Sequence, residues 1–150
     1  MRFDETITVD APIATVRAFF EDVVAVAECV PGIEDTRPIS PNDYTSRMRI
    51  RLGLFSFTIA GRAHVEHGAD GVWRMTAEGS DTRVSATVVL ETRLREASPT
   101  TTEIQAAADL QIAGRLGGLG EPLIRRKAQS MLQDFTKNLS RALRARADAG

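Results

Sequence analysis

From about Gly120 to its end the chain reads as one long amphipathic helix, and almost everything before it reads as strand. Leu119, Leu123, Met131, Leu132, Phe135, Leu139, Ala142 and Leu143 recur at the three- and four-residue spacing of a single apolar stripe. Pro122 falls in the first turn, where proline is tolerated, and the glycines between Gly114 and Gly120 end whatever precedes it. Roughly 26 residues at ~1.5 Å each give a rod of ~39 Å. A ten-residue strand is ~33 Å long, so the helix has the reach to cross a whole sheet.

The preceding residues supply that sheet. Phe3 to Val9 alternates as a first strand; Asp10-Ala11-Pro12 then opens a helical stretch, with Asp10 as its cap. Val16, Phe19, Phe20, Val23, Val24 and Ala27 form its apolar face, broken into two short helices, and Cys29-Val30-Pro31-Gly32 ends it. Ile33–Ile39 reads as a weak edge strand because of Pro38. Five period-two runs follow, each with one greasy and one polar side, the signature of antiparallel strands wetted on one face. Seven strands at ~4.8 Å would span ~34 Å, whereas one helix is only ~10–12 Å across. The sheet must therefore curl around the helix, with the short helices closing one end. The fold class is α+β: a curved antiparallel seven-stranded sheet wrapped around a long C-terminal helix, in one domain over residues 1–150. No repeat or linker divides the chain.

The inner face is populated by small residues (Gly61, Ala63, Ala77, Gly79, Ala86, Ala106, Ala108) among large ones. Two readings compete. The small residues let the helix pack close to the sheet, or they leave an apolar ligand cavity. A cavity would be lined by Phe19, Val30, Met48, Phe57, Ile59, Trp73, Met75, Val88, Leu123, Met131 and Phe135. Substitutions such as Ala106→Phe or Gly61→Leu would fill it.

Net charge is −1 but uneven: residues 115–150 hold eight Lys or Arg against three acids, and residues 1–114 hold eleven against seventeen. Arg125, Arg126, Lys127, Arg141 and Arg144 make the helix a candidate contact for an anionic membrane surface or an acidic partner, against the plainer reading of a solvated face. An acidic chain with few aromatics argues against nucleic acid. Met1-Arg2-Phe3-Asp4-Glu5 is acidic, unlike a secretory signal, and lone Cys29 can form no intrachain disulfide, which fits the cytoplasm.

No catalytic constellation stands out. His64 and His67 are three apart on a strand and point to opposite faces, so no shared metal is expected. Cys29 reads as a structural thiol. Glu78 with Arg74, and the Arg47/Arg49/Arg51 row, read as solvated cross-strand charges. The glycine-rich stretch lacks the ending of a phosphate loop and reads as a hinge, with Gly117 and Gly118 as a gate to the cavity.

The layout resembles the START/Bet v 1-like (SRPBCC) helix-grip superfamily, and within it the CoxG family, named for the G-subunit of carbon monoxide dehydrogenase. The matching residues are Ala11-Pro12-Ile13 with Val16, the Cys29-Val30-Pro31-Gly32 turn, Gly53…Phe57…Gly61, Gly114-Arg115-Leu116, and Phe135…Asn138-Leu139. The resemblance implies a non-catalytic accessory subunit of a molybdo-flavoprotein dehydrogenase, cytoplasmic and peripheral at the inner face of the membrane. It implies that a quinone (menaquinone or ubiquinone) held in the cavity would link the dehydrogenase to the respiratory chain, with no metal needed. Some relatives continue past the helix into a membrane-seeking tail; within these 150 residues its basic face is the expected contact. Two alternatives remain: a cyclase- or hydratase-like enzyme, which needs Tyr44 or Asp109 turned inward, and a ligand-free assembly factor.

Overall fold

The computed structural model describes residues 1–114 and 120–149. Strand β1 (Arg2–Val9) leads into helices α1 (Ile13–Glu21) and α2 (Val23–Glu28). Strands β2 (Ile33–Ser40), β3 (Asp43–Leu52), β4 (Phe55–His67), β5 (Trp73–Ser80), β6 (Val84–Ser98) and β7 (Thr101–Gly114) follow, and then helix α3 (Gly120–Ala149). The expected α+β helix-grip arrangement is the observed one.

All pairings are antiparallel, in the order β1-β7-β6-β5-β4-β3-β2. β2 to β7 form a meander and β1 closes onto β7, so α1 and α2 carry the chain from one sheet edge to the other. α3 comes close to α1, β1 and β3. β1 and β3 are five strand spacings apart, ~24 Å in a flat sheet. One helix can approach both only because the sheet curls around it.

Gly61 on β4 and Gly79 on β5 lie opposite each other. A Cβ on Gly61 would stand 2.6 Å from the Glu78 carbonyl oxygen, and one on Gly79 2.6 Å from Ile59 Cγ2. These glycines therefore serve the close approach of neighbouring strands rather than helix packing or empty space, and Gly61→Leu cannot act as a simple filling substitution.

Register fixes the inner face: Phe3, Glu5, Ile7 and Val9 on β1; Tyr44, Ser46, Met48 and Ile50 on β3; Phe57 to Val65 in alternation on β4. Arg47, Arg49, Arg51 and Arg62 lie on the outer face. β2 is an irregular edge strand, with register shifts around Asp35 (φ 56) and Pro38. Its first paired residue, Ile33, faces Met48, so β3 runs on beyond it with an open edge.

Asp10 does not cap the first helix. Pro12 holds that position with no side-chain cap, its carbonyl accepting from Thr15 and Val16 N–H. The acidic cap falls instead at Asp22, which accepts from Ala25 N–H at 3.2 Å and starts α2. Arg146 near the end of α3 reaches the same Asp22 at 2.8 Å and lies over the Phe19 ring at 4.6 Å.

Most buried side chains fall in two clusters. The larger joins Val9, Val16, Phe19, Phe20, Trp73, Ile104, Leu139 and Leu143 beneath α1, α2 and the later turns of α3. Leu139 has no exposed surface, and its truncation to Ala would cost about 2–5 kcal/mol. The smaller cluster, Leu52, Phe57 and Val84, lies at the opposite end, near the β3–β4 and β5–β6 turns.

Candidate functional site

Between the two clusters runs a waist where the sheet's inner face meets the first half of α3. Phe3, Met48, Ala63, Met75, Ala77, Val88, Leu90, Ala106, Ala108 and Leu110 point inward there, yet each keeps part of its surface exposed. Leu123, Ile124, Ala128, Met131 and Leu132 on the helix are half buried too. Protein interiors are close-packed, so inward apolar residues of a filled core would be buried. The side chains of the waist are therefore packed less tightly than those of the two clusters.

A recess of about 180 Å³ lies beside this region, along the seam between α3 and the open edge of β3, and shares Met131 with it. Ile50, Met131 and Pro31 form its apolar wall; Arg51, Lys127, Ser130 and Asp134 form its polar rim. Arg49 N–H donates to Gly32 O at 2.9 Å. Arg51, two residues on, presents its backbone to the same side, past the start of β2. The seam thus combines an apolar wall with donors, the arrangement that suits a molecule with a greasy body and a carbonyl-bearing head. A shallower depression of about 440 Å³, lined by Asp35, Arg37, Arg47 and Arg62 among others, surrounds the β2 bulge on the outer face. It is larger, but most of its lining belongs to β2 and the outer face.

The expected lining residues divide by position. Met48, Met75, Val88, Leu123 and Met131 belong to the half-buried waist. Phe19 and Trp73 are buried in the large cluster, with Phe135 packed against it; Phe57 is buried in the small one, with Ile59 against it. They close the ends. Val30, half buried, lies in the turn after α2. Phe3, Leu90 and Leu110 also face inward; strict alternation along β1, β6 and β7 was the signal for them. Gly117 and Gly118, expected as the gate, lie outside the described residues, as do Arg115, Leu116 and Leu119.

The five α3 cations expected as the contact do not share one face, because three consecutive residues fan over about 200° of a helix. Arg125 turns to β1, donating to Arg2 O at 3.1 Å and lying over the Phe3 ring at 4.9 Å. Lys127 turns the other way, into the seam. Arg126, Arg141 and Arg144 are exposed.

Polar groups on the inner face are few. Tyr44 faces inward, whereas Asp109 faces outward, 3.8 Å from the N-terminal ammonium. Glu5, which sequence reasoning passed over, shares the inner face with Phe3 and Ile7 and lies opposite Ala106. It makes no side-chain hydrogen bond or ion pair among the described residues.

The remaining ionisable groups lie away from the waist. His64 bridges Asp43 (2.8 Å) and Glu66 (2.9 Å) on the outer face. Glu66, then Asp43, hold its imidazolium above the ordinary value. His67 stacks on Trp73 with centroids 3.6 Å apart and reaches Glu21 at 3.3 Å. Arg74 pairs with Asp70 (2.7 Å) and Glu91 (3.7 Å) rather than with Glu78. Arg47 and Arg49 pair with Asp35 and Glu34 on β2. Cys29 is buried; its Sγ donates to Ala25 O, and desolvation, with Glu28 adding, pushes the thiol up. Among the described residues no three His, Cys, Asp or Glu converge as a metal site, and no helix is long and apolar enough to cross a membrane.

Solved structures share this architecture. A conserved protein from Geobacillus kaustophilus superposes with a TM-score of 0.88 at 12% identity, over 97% of this chain and 96% of its own. A START superfamily protein from Mycobacterium smegmatis gives 0.70 at 14%, over 96% and 97%. The Zhui aromatase/cyclase from Streptomyces sp. R1128 gives 0.69 at 16%, over 98% and 95%. At these identities they establish the fold alone. No curated protein matches the sequence. The family model of the carbon monoxide dehydrogenase G-subunit (CoxG) matches residues 6–144, from the first strand to the last turns of α3. The chain therefore belongs to the carbon monoxide dehydrogenase CoxG family.

Proposed function

We propose that the chain is a non-catalytic accessory subunit of a molybdo-flavoprotein dehydrogenase that holds a quinone, menaquinone or ubiquinone, in its waist. On this reading it exchanges the quinone with the cytoplasmic membrane and so links the dehydrogenase to the respiratory chain. One observation carries the reading: fully buried packing sits in two clusters, and the apolar inner face between them stays half exposed. An isoprenoid tail laid along that face would lose several hundred Å² to water. At ~25 cal/mol per Å² this supplies several kcal/mol before ordering costs. Lys127, Ser130 and the Arg51 backbone in the seam are donors suited to quinone carbonyl oxygens.

The test is native purification from the host followed by organic extraction and mass spectrometry. A quinone at near-stoichiometric yield is expected. A repeatedly empty protein, with α3 closed onto the sheet, would favour a ligand-free assembly factor instead.

A cyclase- or hydratase-like reading has one observation in its favour, the inward carboxylate of Glu5 beside an apolar wall, with Tyr44 on the same face. A time-dependent change in the mass of a bound ligand, abolished by Glu5→Gln, would replace the carrier reading with this one.

A further inference from the structure

The β3–β4 hairpin ends in an apolar tip: Leu123 of α3 comes within 4.0 Å of where a Cβ on Gly53 would stand, but Leu54 beyond it is uncovered among the described residues. Gly53 (φ 58) and Leu54 form a two-residue turn between the paired Leu52 and Phe55, with glycine at the position needing positive φ. Leu54 is 102% exposed and Phe55 48%. Phe55 stacks on the buried Phe57 at 6.3 Å, so the tip stands on a packed base. The other large exposed hydrophobics, Ile39 and Val89, are isolated on β2 and in the middle of β6.

Cations surround this tip. Residues 49–58 contain Arg49 and Arg51 and no acid. Arg83, from the β5–β6 turn, donates to Ser56 O at 2.7 Å and lies over the Phe57 ring at 4.6 Å. Lys127 shares the seam with Arg51. The acids nearby are Glu34, paired with Arg49; Asp81, held by Arg83 and two backbone N–H groups; and Asp134 on the seam's rim.

We propose that the β3–β4 hairpin is a membrane-docking tip: Leu54 and Phe55 enter the interface of an anionic bilayer, while Arg51, Arg83 and Lys127 meet lipid phosphates. The shape favours lipid over protein. A protein interface needs ~800 Å² per partner with anchors seated in pockets, whereas two side chains on a protruding turn offer far less area. A fluid bilayer accepts such a wedge, and its anionic headgroups complement the surrounding cations. The tip adjoins the seam, so a lipophilic molecule could pass between waist and bilayer with little exposure to water. The proposal rests on the membrane step of the carrier reading and not on the identity of the ligand.

Cosedimentation of the purified chain with vesicles tests it. Binding is expected to phosphatidylglycerol/phosphatidylcholine vesicles, weaker in high salt and weaker still to phosphatidylcholine alone. The double variant Leu54→Ser/Phe55→Ser should bind at least about tenfold more weakly with an unchanged melting temperature. Val89→Ser, which removes an apolar side chain about as exposed as Phe55 but elsewhere on the sheet, should match the wild type. No vesicle binding by the wild type, or equal binding by the double variant, overturns the proposal. Unchanged vesicle binding with lost capture of the purified dehydrogenase would also overturn it, assigning the tip to a protein interface. Quinone extraction from the same preparations separates the two ideas. Quinone retained without vesicle binding sinks the docking tip alone, whereas hairpin-dependent binding by quinone-free protein supports the tip and counts against the carrier.

Discussion

Asn138 Nδ2 donates to the Cys29 carbonyl oxygen at 2.9 Å, across 109 residues of sequence. The bond ties the middle of α3 to the end of α2, and it joins two of the motifs that carry the family resemblance. Asn138→Ala leaves a partly buried carbonyl without its donor and should lower stability by about 1–2 kcal/mol. For a chain of this size that is a fall of about 2–8 °C in melting temperature, read by calorimetry.

Gly61 and Ala106 both face the waist, but their substitutions should act differently. Gly61→Ala drives a Cβ against the Glu78 carbonyl and should cost about 1–3 kcal/mol in denaturant unfolding. Ala106→Phe projects into the half-exposed waist; it should abolish ligand recovery while costing less stability than Gly61→Ala.

His64 contributes through its protonated form, which Glu66 and Asp43 favour in the folded state. That contribution is complete below the unfolded value near 6.5 and disappears as pH rises through the higher folded value. The melting-temperature difference between wild type and His64→Gln should therefore shrink as pH rises above about 6.5.

Asp70 has the opposite sign. The Arg74 side chain, then the Val72 N–H, lower its carboxyl to about 2. Its contribution is present above the unfolded value near 3.8 and is lost as pH falls through about 2. Acid titration of the melting temperature should show Asp70→Asn converging on the wild type over that interval.

Much of the fold was legible because it rests on periodicity and length. The stripe of α3 and the alternation of β3 to β7 each dictate a buried face, and sheet width against helix diameter dictates the curl. Glu5 was equally legible, since it shares the parity of Phe3, Ile7 and Val9. Attention to apolar residues concealed it. The seam was not legible, because it depends on β2 pairing only from Ile33 while β3 runs on to Leu52. Nor were the roles of Gly61 and Asp22. A glycine required by a neighbouring carbonyl looks in sequence like one that leaves space, and an acid between two short helices looks like any surface acid. Charge partners such as Arg74 with Asp70 depend on a loop conformation that residue spacing does not reveal.

On the proposed carrier reading, packing at the two ends leaves folding and ligand selectivity to different residues. Leu139, Val16, Phe57 and their neighbours determine whether the chain folds. Met75, Ala77, Val88 and Ala108 can exchange volume among themselves at small thermodynamic cost, because no fully packed neighbour resists the change. Related chains can thus diverge in what they accommodate while unfolding at similar temperatures, and a designer could reshape the occupant by altering the middle alone.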